Sequence, residues 1–112
     1  MDLQLKEKVI IVSGGAKGIG EGIVKVLAAE GAIPVIIGRS EEDNLVTVKA
    51  IEATGGKCFQ VKAELSNPDE CKHAVEAVVK QFTRIDGLVN NAGANDGVGL
   101  ENGDYEKFMA SL

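Results

Sequence analysis

Four short apolar runs that alternate with helical segments constrain the fold of this chain more than any other feature of its sequence. The runs lie at residues 9–12, 35–37, 58–61 and 87–89, and each is followed by a segment with helical spacing of apolar residues. Short runs without polar alternation are typical of strands covered on both faces. The order βαβαβαβα with short connections therefore predicts an α/β fold: a parallel sheet with right-handed crossovers and helices on both faces.

Capping residues indicate where the helices begin and end. Ser40 is expected to cap the second helix, Asn67 with Pro68 after it is expected to start the third, and Gly31 stands where the first helix should stop. The four helices are expected to bury apolar stripes at Ile19, Ile23 and Leu27, at Leu45, Val48 and Ile51, at Cys71, Val75, Val78 and Phe82, and at Tyr105, Phe108, Met109 and Leu112.

Composition excludes several classes of function. The chain of 112 residues has room for one small domain. Its net charge of −5 and its aromatic content of 4% argue against a nucleic-acid partner. No apolar run approaches the roughly 18 residues of a membrane span, and the N-terminus lacks the pattern of a secretory signal. Two cysteines, Cys58 and Cys71, form neither a disulfide framework nor a metal site, so we expect reduced thiols in a cytoplasmic protein.

A glycine-rich turn between the first strand and the first helix is the strongest local signal. Residues 13–20 read Ser-Gly-Gly-Ala-Lys-Gly-Ile-Gly. Glycines at such a turn let the main chain approach a pyrophosphate, while the N-terminal amides of the helix face the anion. Glycines also occur in loops that bind no ligand, but the strand before this turn and the helix after it favour dinucleotide binding.

The end of the second strand bears on which dinucleotide is bound. An acid about 20 residues after the glycines usually holds the 2′-hydroxyl of the ribose, whereas a 2′-phosphate needs a cation. Here Arg39 follows the strand, no acid occurs before Glu41, and Lys17 in the glycine turn is a second cation. We therefore expect NADP(H) to be favoured, with NAD(H) possible; the alternative is that both cations are merely solvated.

The sequence Asn-Asn-Ala-Gly at residues 90–93 follows the fourth strand. Ligands of open α/β sheets bind beyond the carboxyl ends of the strands. Paired amides at this point can join neighbouring strands and approach a ribose.

The glycine turn and the Asn-Asn-Ala-Gly segment together resemble the short-chain dehydrogenase/reductase family, over all 112 residues. Ser13 stands where that family usually has Thr, and keeps the hydroxyl. The resemblance implies an incomplete Rossmann-like doubly wound sheet, for which we expect the strand order 3-2-1-4. Residues from Asn90 to Leu112 are also similar to sugar dehydrogenases of the L-fucose dehydrogenase type.

The resemblance also implies a set of cofactor-binding residues. The turn would approach the phosphates and ribose, Arg39 would meet the 2′-phosphate, and the segment at residue 90 would lie on the adenosine side. Glu64 and Leu65 fall where the family has an Asp or Asn near adenine, although Glu64 is longer than usual. The expected cofactor-binding residues are Gly14, Ala16, Lys17, Gly18, Ile19, Gly20, Arg39, Glu64, Leu65, Asn90, Ala92 and Gly93.

The catalytic groups that the resemblance leads one to expect are absent from the sequence. The family uses a Ser, a Tyr-x-x-x-Lys pair and a further Asn in a chain about twice this length, but the single tyrosine, Tyr105, is followed four residues later by Met109. We therefore expect residues 1–112 to be the dinucleotide-binding half of a hydride-transferring oxidoreductase that acts on an alcohol or carbonyl, with a sugar as one candidate substrate. Such an enzyme is expected to be a homo-oligomer, and this half alone to be inactive. The alternatives are a regulatory nucleotide-binding domain and a catalytically dead partner of a full-length homologue.

Overall fold

The computed structural model describes residues 5–91 and shows a four-stranded parallel sheet with three helices. In chain order the elements are β1 (Val9–Ser13), α1 (Gly18–Ala29), β2 (Ile33–Gly38), α2 (Glu41–Glu52), β3 (Phe59–Lys62), α3 (Pro68–Phe82) and β4 (Gly87–Asn90). The strand order β3-β2-β1-β4 confirms the predicted 3-2-1-4 order. The fourth helix predicted around Tyr105 lies outside the described residues.

Helices cover both faces of the sheet, as predicted. Alternate residues of a strand point to opposite faces, so β1 sends Val9 and Ile11 to one face and Ile10 and Val12 to the other. The first pair packs with the buried stripe of α3, and the second pair packs with residues of α1 and α2. The sheet is therefore doubly wound, with its central strands in the core.

The burial predicted for the third and fourth strands was wrong. β1 and β2 are buried, but β3 and β4 are half-buried or exposed along their length. Within the described part of the chain they are the edge strands, so each has one neighbouring strand. The ring of Phe59 in β3 is partly covered by the ring of Phe82 in α3, and the two ring centroids lie 5.0 Å apart.

The stripe predicted for α1 was also partly wrong. Ile19 is 78% exposed, whereas Gly20 and Val24 are buried and Ile23 and Leu27 flank them. The helix is rotated because Gly20 packs directly against the carbonyl of Gly14, a contact that only a residue without a side chain permits.

The predicted helix caps are confirmed. Ser40 Oγ accepts a hydrogen bond from the N–H of Asp43 at 3.2 Å, and Asn67 Oδ1 accepts from the first turn of α3. Gly31, after α1, has a φ of +87°. Local sequence therefore sets these boundaries.

Both cysteines are buried and free, which confirms them as small core residues. Burial, together with the charge of Glu52, raises the pKa of the Cys58 thiol to about 12. The pKa of Cys71 is likewise raised, mainly by burial. Both side chains are thus protonated at neutral pH and act as apolar packing groups.

Candidate functional site

An open cleft of about 460 Å³ lies where β1, β2 and β3 reach their carboxyl ends. Six of the predicted cofactor residues line it: Gly14, Ala16, Lys17, Arg39, Glu64 and Leu65. Four further residues complete the lining: Gly38, Ser40, Asp43 and Asn44. The topology therefore brings together segments that are up to about 50 residues apart in sequence, at the edge of the sheet where α/β folds bind ligands.

The glycine turn forms one wall of the cleft. Gly14 and Gly18 adopt φ values of +69° and +59°, a conformation that residues with a Cβ seldom adopt. The N–H of Gly14 donates to the carbonyl of Ile37 at 2.9 Å, which fixes the turn to β2. A Cβ on Gly20 would overlap the carbonyl oxygen of Gly14 and lie 2.7 Å from Asn91 Nδ2. Gly20 therefore allows the helix to approach the turn, while Gly18 allows the turn itself.

The start of α1 differs from the starts of the other two helices. Its N-cap residue is Lys17, whose side chain makes no capping hydrogen bond, whereas Ser40 and Asn67 cap α2 and α3. First-turn amides without a side-chain cap carry the positive end of the helix dipole and are suited to a phosphate. The glycine turn leads straight into these amides, so the arrangement fits an anion such as a pyrophosphate.

Two buried polar side chains of α2 hold the walls of the cleft together. Thr47 Oγ1 donates to the carbonyl of Ala16 at 3.1 Å, and Asn44 Nδ2 donates to the carbonyl of Gly38 and to Gln60 Oε1, each at 3.1 Å. These bonds connect α2 to the glycine turn, to the end of β2 and to β3. Asn44 and Thr47 are only 1% and 2% exposed, so their bonds are shielded from water.

The two cations of the cleft are in different environments. Lys17 Nζ forms an ion pair with Asp43 Oδ2 at 3.0 Å, and the hydrogen bond from Lys17 lowers the pKa of the Asp43 carboxyl. Arg39 is exposed and takes part in no ion pair within residues 5–91. Of the two, Arg39 is thus the cation available to an added anion.

Glu64 and Leu65 line the far end of the cleft, beyond β3. The Glu64 carboxylate accepts a hydrogen bond from Ser66 Oγ at 3.2 Å, and the Glu64 N–H donates to Glu70 Oε1 at 3.0 Å. The carbonyl of Leu65 accepts from Cys71 Sγ at 3.5 Å. The loop is therefore braced by α3, and Leu65 offers this end of the cleft an apolar surface.

Asn90 lies at the end of β4 but is not part of the cleft lining. Ser13 Oγ donates to Asn90 Oδ1 at 3.0 Å and accepts from the N–H of Asn91 at 3.0 Å. These bonds join the ends of β1 and β4, which is one of the two roles expected for the paired amides. Gly18, Ile19 and Gly20 also lie outside the lining. Ala92 and Gly93 lie outside the described residues.

Sequence reasoning missed Asp43, Asn44 and Thr47 as residues of this region. One signal was available: Asn44, Thr47, Val48 and Ile51 recur with the spacing of a buried helix face, and two of them are polar. Polar residues on a buried face must find hydrogen-bond partners. That pattern predicts a contact with another segment, although it does not say which one.

Other kinds of site find little support in the described region. Within residues 5–91 no helix is long and apolar enough to cross a membrane. No cluster of three or more potential metal ligands occurs there either. The single histidine, His73, is exposed on α3, as expected.

Comparisons with known proteins agree with this architecture. The sequence profile of the short chain dehydrogenases matches residues 8–112. An uncharacterized oxidoreductase of Methylorubrum extorquens is 40% identical over 106 residues, which cover 94% of this chain and 43% of that protein.

Solved structures show the same arrangement. The L-sorbose reductase of Gluconobacter frateurii, complexed with NADPH and L-sorbose, is 28% identical with a TM-score of 0.79, over 98% of this chain and 42% of that one. An NAD+-bound xylitol dehydrogenase is 25% identical with a TM-score of 0.76, over 82% and 35%. The chain thus spans less than half the length of these relatives. By its sequence profile, its glycine turn and its sheet order, the chain belongs to the short chain dehydrogenase family.

Proposed function

We propose that residues 1–112 form the dinucleotide-binding half of an NAD(P)-dependent oxidoreductase, with NADP(H) favoured and NAD(H) possible. The observation that carries this proposal is the cleft itself, in which Arg39 follows β2 and has no acidic partner within residues 5–91, and the glycine turn leads into a helix without a side-chain cap. Family relatives support the cofactor class, since solved neighbours hold NADPH in one case and NAD+ in another.

Each part of the cleft suits one part of the cofactor. The turn from Gly14 to Gly20, with Ala16, Lys17, Gly18 and Ile19 between them, would hold the pyrophosphate and the adjoining ribose. Arg39 would form charge-assisted hydrogen bonds with the 2′-phosphate. Glu64 and Leu65 would border the adenine ring, and Asn90, Ala92 and Gly93 would lie on the adenosine side of the site.

The proposed reaction is hydride transfer between the nicotinamide and a carbon that bears a hydroxyl or carbonyl group. The cofactor supplies that chemistry, and this chain's residues bind and orient it. A sugar or polyol is the substrate class we favour, because the L-sorbose reductase and the xylitol dehydrogenase are structural neighbours. The resemblance of residues 90–112 to sugar dehydrogenases of the L-fucose dehydrogenase type, inferred from the sequence alone, points to the same class.

The chain alone is proposed to bind nucleotide without turnover. Reduction of a carbonyl leaves an alkoxide that needs a positioned acid. Tyr105 has Lys107 two residues on, and residues at that spacing do not face each other on a helix. His73 is exposed on α3, away from the cleft lining. We also propose that the whole protein works as a homo-oligomer in the cytoplasm, where buried free thiols such as Cys58 and Cys71 stay reduced.

Calorimetric titration of the chain with NADPH and NADH tests the cofactor proposal. NADPH should bind more tightly, and Arg39→Asp should weaken NADPH binding by about ten- to a hundredfold, because it removes a charged hydrogen-bond donor. NADH binding should change far less. The chain, with its mass verified, should oxidise no sugar or secondary alcohol in the presence of NAD(P).

A charge-matched control is Lys72→Asp, which makes the same change in net charge on the exposed surface of α3. It should leave the NADPH affinity unchanged. If the affinities for NADPH and NADH were equal and unaffected by Arg39→Asp, the cleft would not discriminate between cofactors by the 2′-phosphate. Binding of neither cofactor would overturn the proposal as a whole.

A further inference from the structure

We infer that Asp43 limits the preference of this cleft for a 2′-phosphorylated nucleotide, because it holds the amine of Lys17 in an ion pair. The inference rests on the proposed function and adds a specificity-determining residue to it. Asp43 lies in the first turn of α2, four residues after Arg39 in the sequence, and was not expected at the site.

The geometry places a negative charge in the same cleft as both cations and in contact with one of them, Lys17. Asp43, Lys17 and Arg39 all line it, and Lys17 Nζ lies 3.0 Å from Asp43 Oδ2. The side chains of Lys17 and Asp43 are 78% and 39% exposed, so the pair is accessible to a ligand that enters the cleft. A 2′-phosphate would have to draw Lys17 away from this carboxylate before it could use both cations.

The position of Asp43 is set by the start of α2. Its N–H donates to the capping Ser40 Oγ at 3.2 Å, which places its side chain in the first turn of the helix, beside the cleft. The neighbouring acids Glu41 and Glu42 are exposed and do not line the cleft. The effect is therefore expected of Asp43 alone among the three acids of that turn.

The two kinds of nucleotide should respond differently to the ion pair. A ribose with a free 2′-hydroxyl carries no charge at this position, so Lys17 can stay with Asp43. A 2′-phosphate is repelled by the carboxylate and competes with it for the amine. Loss of the carboxylate should accordingly favour only the phosphorylated form.

The test is calorimetric titration of the chain with adenosine 2′,5′-bisphosphate and with 5′-AMP, two probes that differ only in the 2′-phosphate. Asp43→Asn should raise the ratio of the two affinities by about two- to fivefold, the range expected for an exposed ion pair. The backbone N–H of residue 43, which donates to Ser40 Oγ, is kept in this variant, so the cap of α2 is preserved. Asp43→Glu, which restores the carboxylate, should bring the ratio back toward the original value.

Lys17→Gln then tests the mechanism. It should lower the affinity ratio more in the Asp43→Asn background than in the original chain, because only there is the amine released. An equal effect in both backgrounds would overturn the inference, and so would an unchanged ratio in Asp43→Asn.

Glu41→Gln is the matched control, since it removes one negative charge from the same turn of α2. A rise in the ratio as large as that of Asp43→Asn would show a general effect of net charge and overturn the inference, whereas an unchanged ratio supports it. If the original chain binds both probes but the variants do not shift the affinity ratio as expected, only the inference about Asp43 fails. If it binds neither, the proposed function fails, and this inference fails with it.

Discussion

The two ends of β1 use polar groups in different ways. At the amino end, the N–H of Val9 donates to Asp86 Oδ2 at 2.8 Å, and Asp86 in turn accepts two hydrogen bonds from Arg84 at 2.8 Å. At the carboxyl end, the strand runs into the glycine turn and an α1 start without a side-chain cap. At the amino end these polar groups are bonded within the chain. At the carboxyl end Ser13 is also bonded within the chain, but the first-turn amides of α1 have no side-chain cap and are open to a ligand.

This difference separates stability from binding. A hydrogen bond made within the protein contributes to folding, whereas a donor left open at a helix start contributes only when an anion arrives. Substitutions at the amino end should therefore change the free energy of unfolding and leave nucleotide affinity intact. Substitutions at the carboxyl end should reduce nucleotide affinity, with or without a loss of stability.

The largest effect is expected for Gly20→Ala. The added Cβ would overlap the carbonyl of Gly14, so α1 would have to move away from the turn, at a cost of about 1–3 kcal/mol in the free energy of unfolding. Nucleotide binding should be lost with it, because the first turn of α1 is displaced. Urea unfolding and calorimetric titration measure the two effects.

The control for that substitution is Gly22→Ala in the same helix. In the described part of the chain nothing lies within 4 Å of a Cβ at this position, so alanine should stabilise the helix by about 0.5–1 kcal/mol. Equal stability changes in the two variants would contradict the close packing of Gly20 on the turn.

A smaller effect is expected for Thr47→Val. The substitution keeps the shape of the side chain but removes the hydrogen bond to the carbonyl of Ala16, so the chain should lose about 1–2 kcal/mol of stability. Nucleotide affinity should fall as well, because Ala16 lines the cleft. Thr47→Ser keeps the hydroxyl and should retain the affinity better than valine does. If valine matched the original chain in both measurements, the turn would not depend on α2.

The smallest effect is expected at the amino end, for Asp86→Asn. The hydrogen bond from Arg84 and then that from the Val9 N–H lower the pKa of the Asp86 carboxyl from its ordinary value of 3.8. A lowered folded-state pKa stabilises the protein above the unfolded-state value, and this contribution is lost as the pH falls through the folded-state pKa. The original chain should therefore lose stability below about pH 4, and Asp86→Asn should lose less over the same range.

Urea unfolding at several pH values measures this dependence, with Glu76→Gln on the exposed surface of α3 as the control. Nucleotide affinity at neutral pH should be the same for Asp86→Asn and the original chain. A loss of affinity in Asp86→Asn would show that the two ends of β1 are coupled, contrary to the comparison.

Most of the fold could be predicted because its signals are local. The strands β1 and β2 are continuous apolar runs, the caps Ser40 and Asn67 act within three residues of themselves, and Gly31 ends α1 through its own backbone conformation. Half of the proposed cofactor residues line one cleft. They could be named from the sequence because the glycine turn and the strand ends are recognisable there.

The sequence by itself determined the order of the elements, the helix boundaries and the position of the glycine turn, since each depends on residues close together in the chain. The tertiary structure alone decided that Gly20 and not Ile19 faces inward, that β3 and β4 are half-exposed within the described region, and that Thr47 bonds to Ala16. It also decided that Asp43 engages Lys17 and leaves Arg39 available. Gly20 packs on the nearby Gly14, but the other features depend on contacts between segments 20 or more residues apart. Such contacts form only when the sheet brings the ends of its strands together.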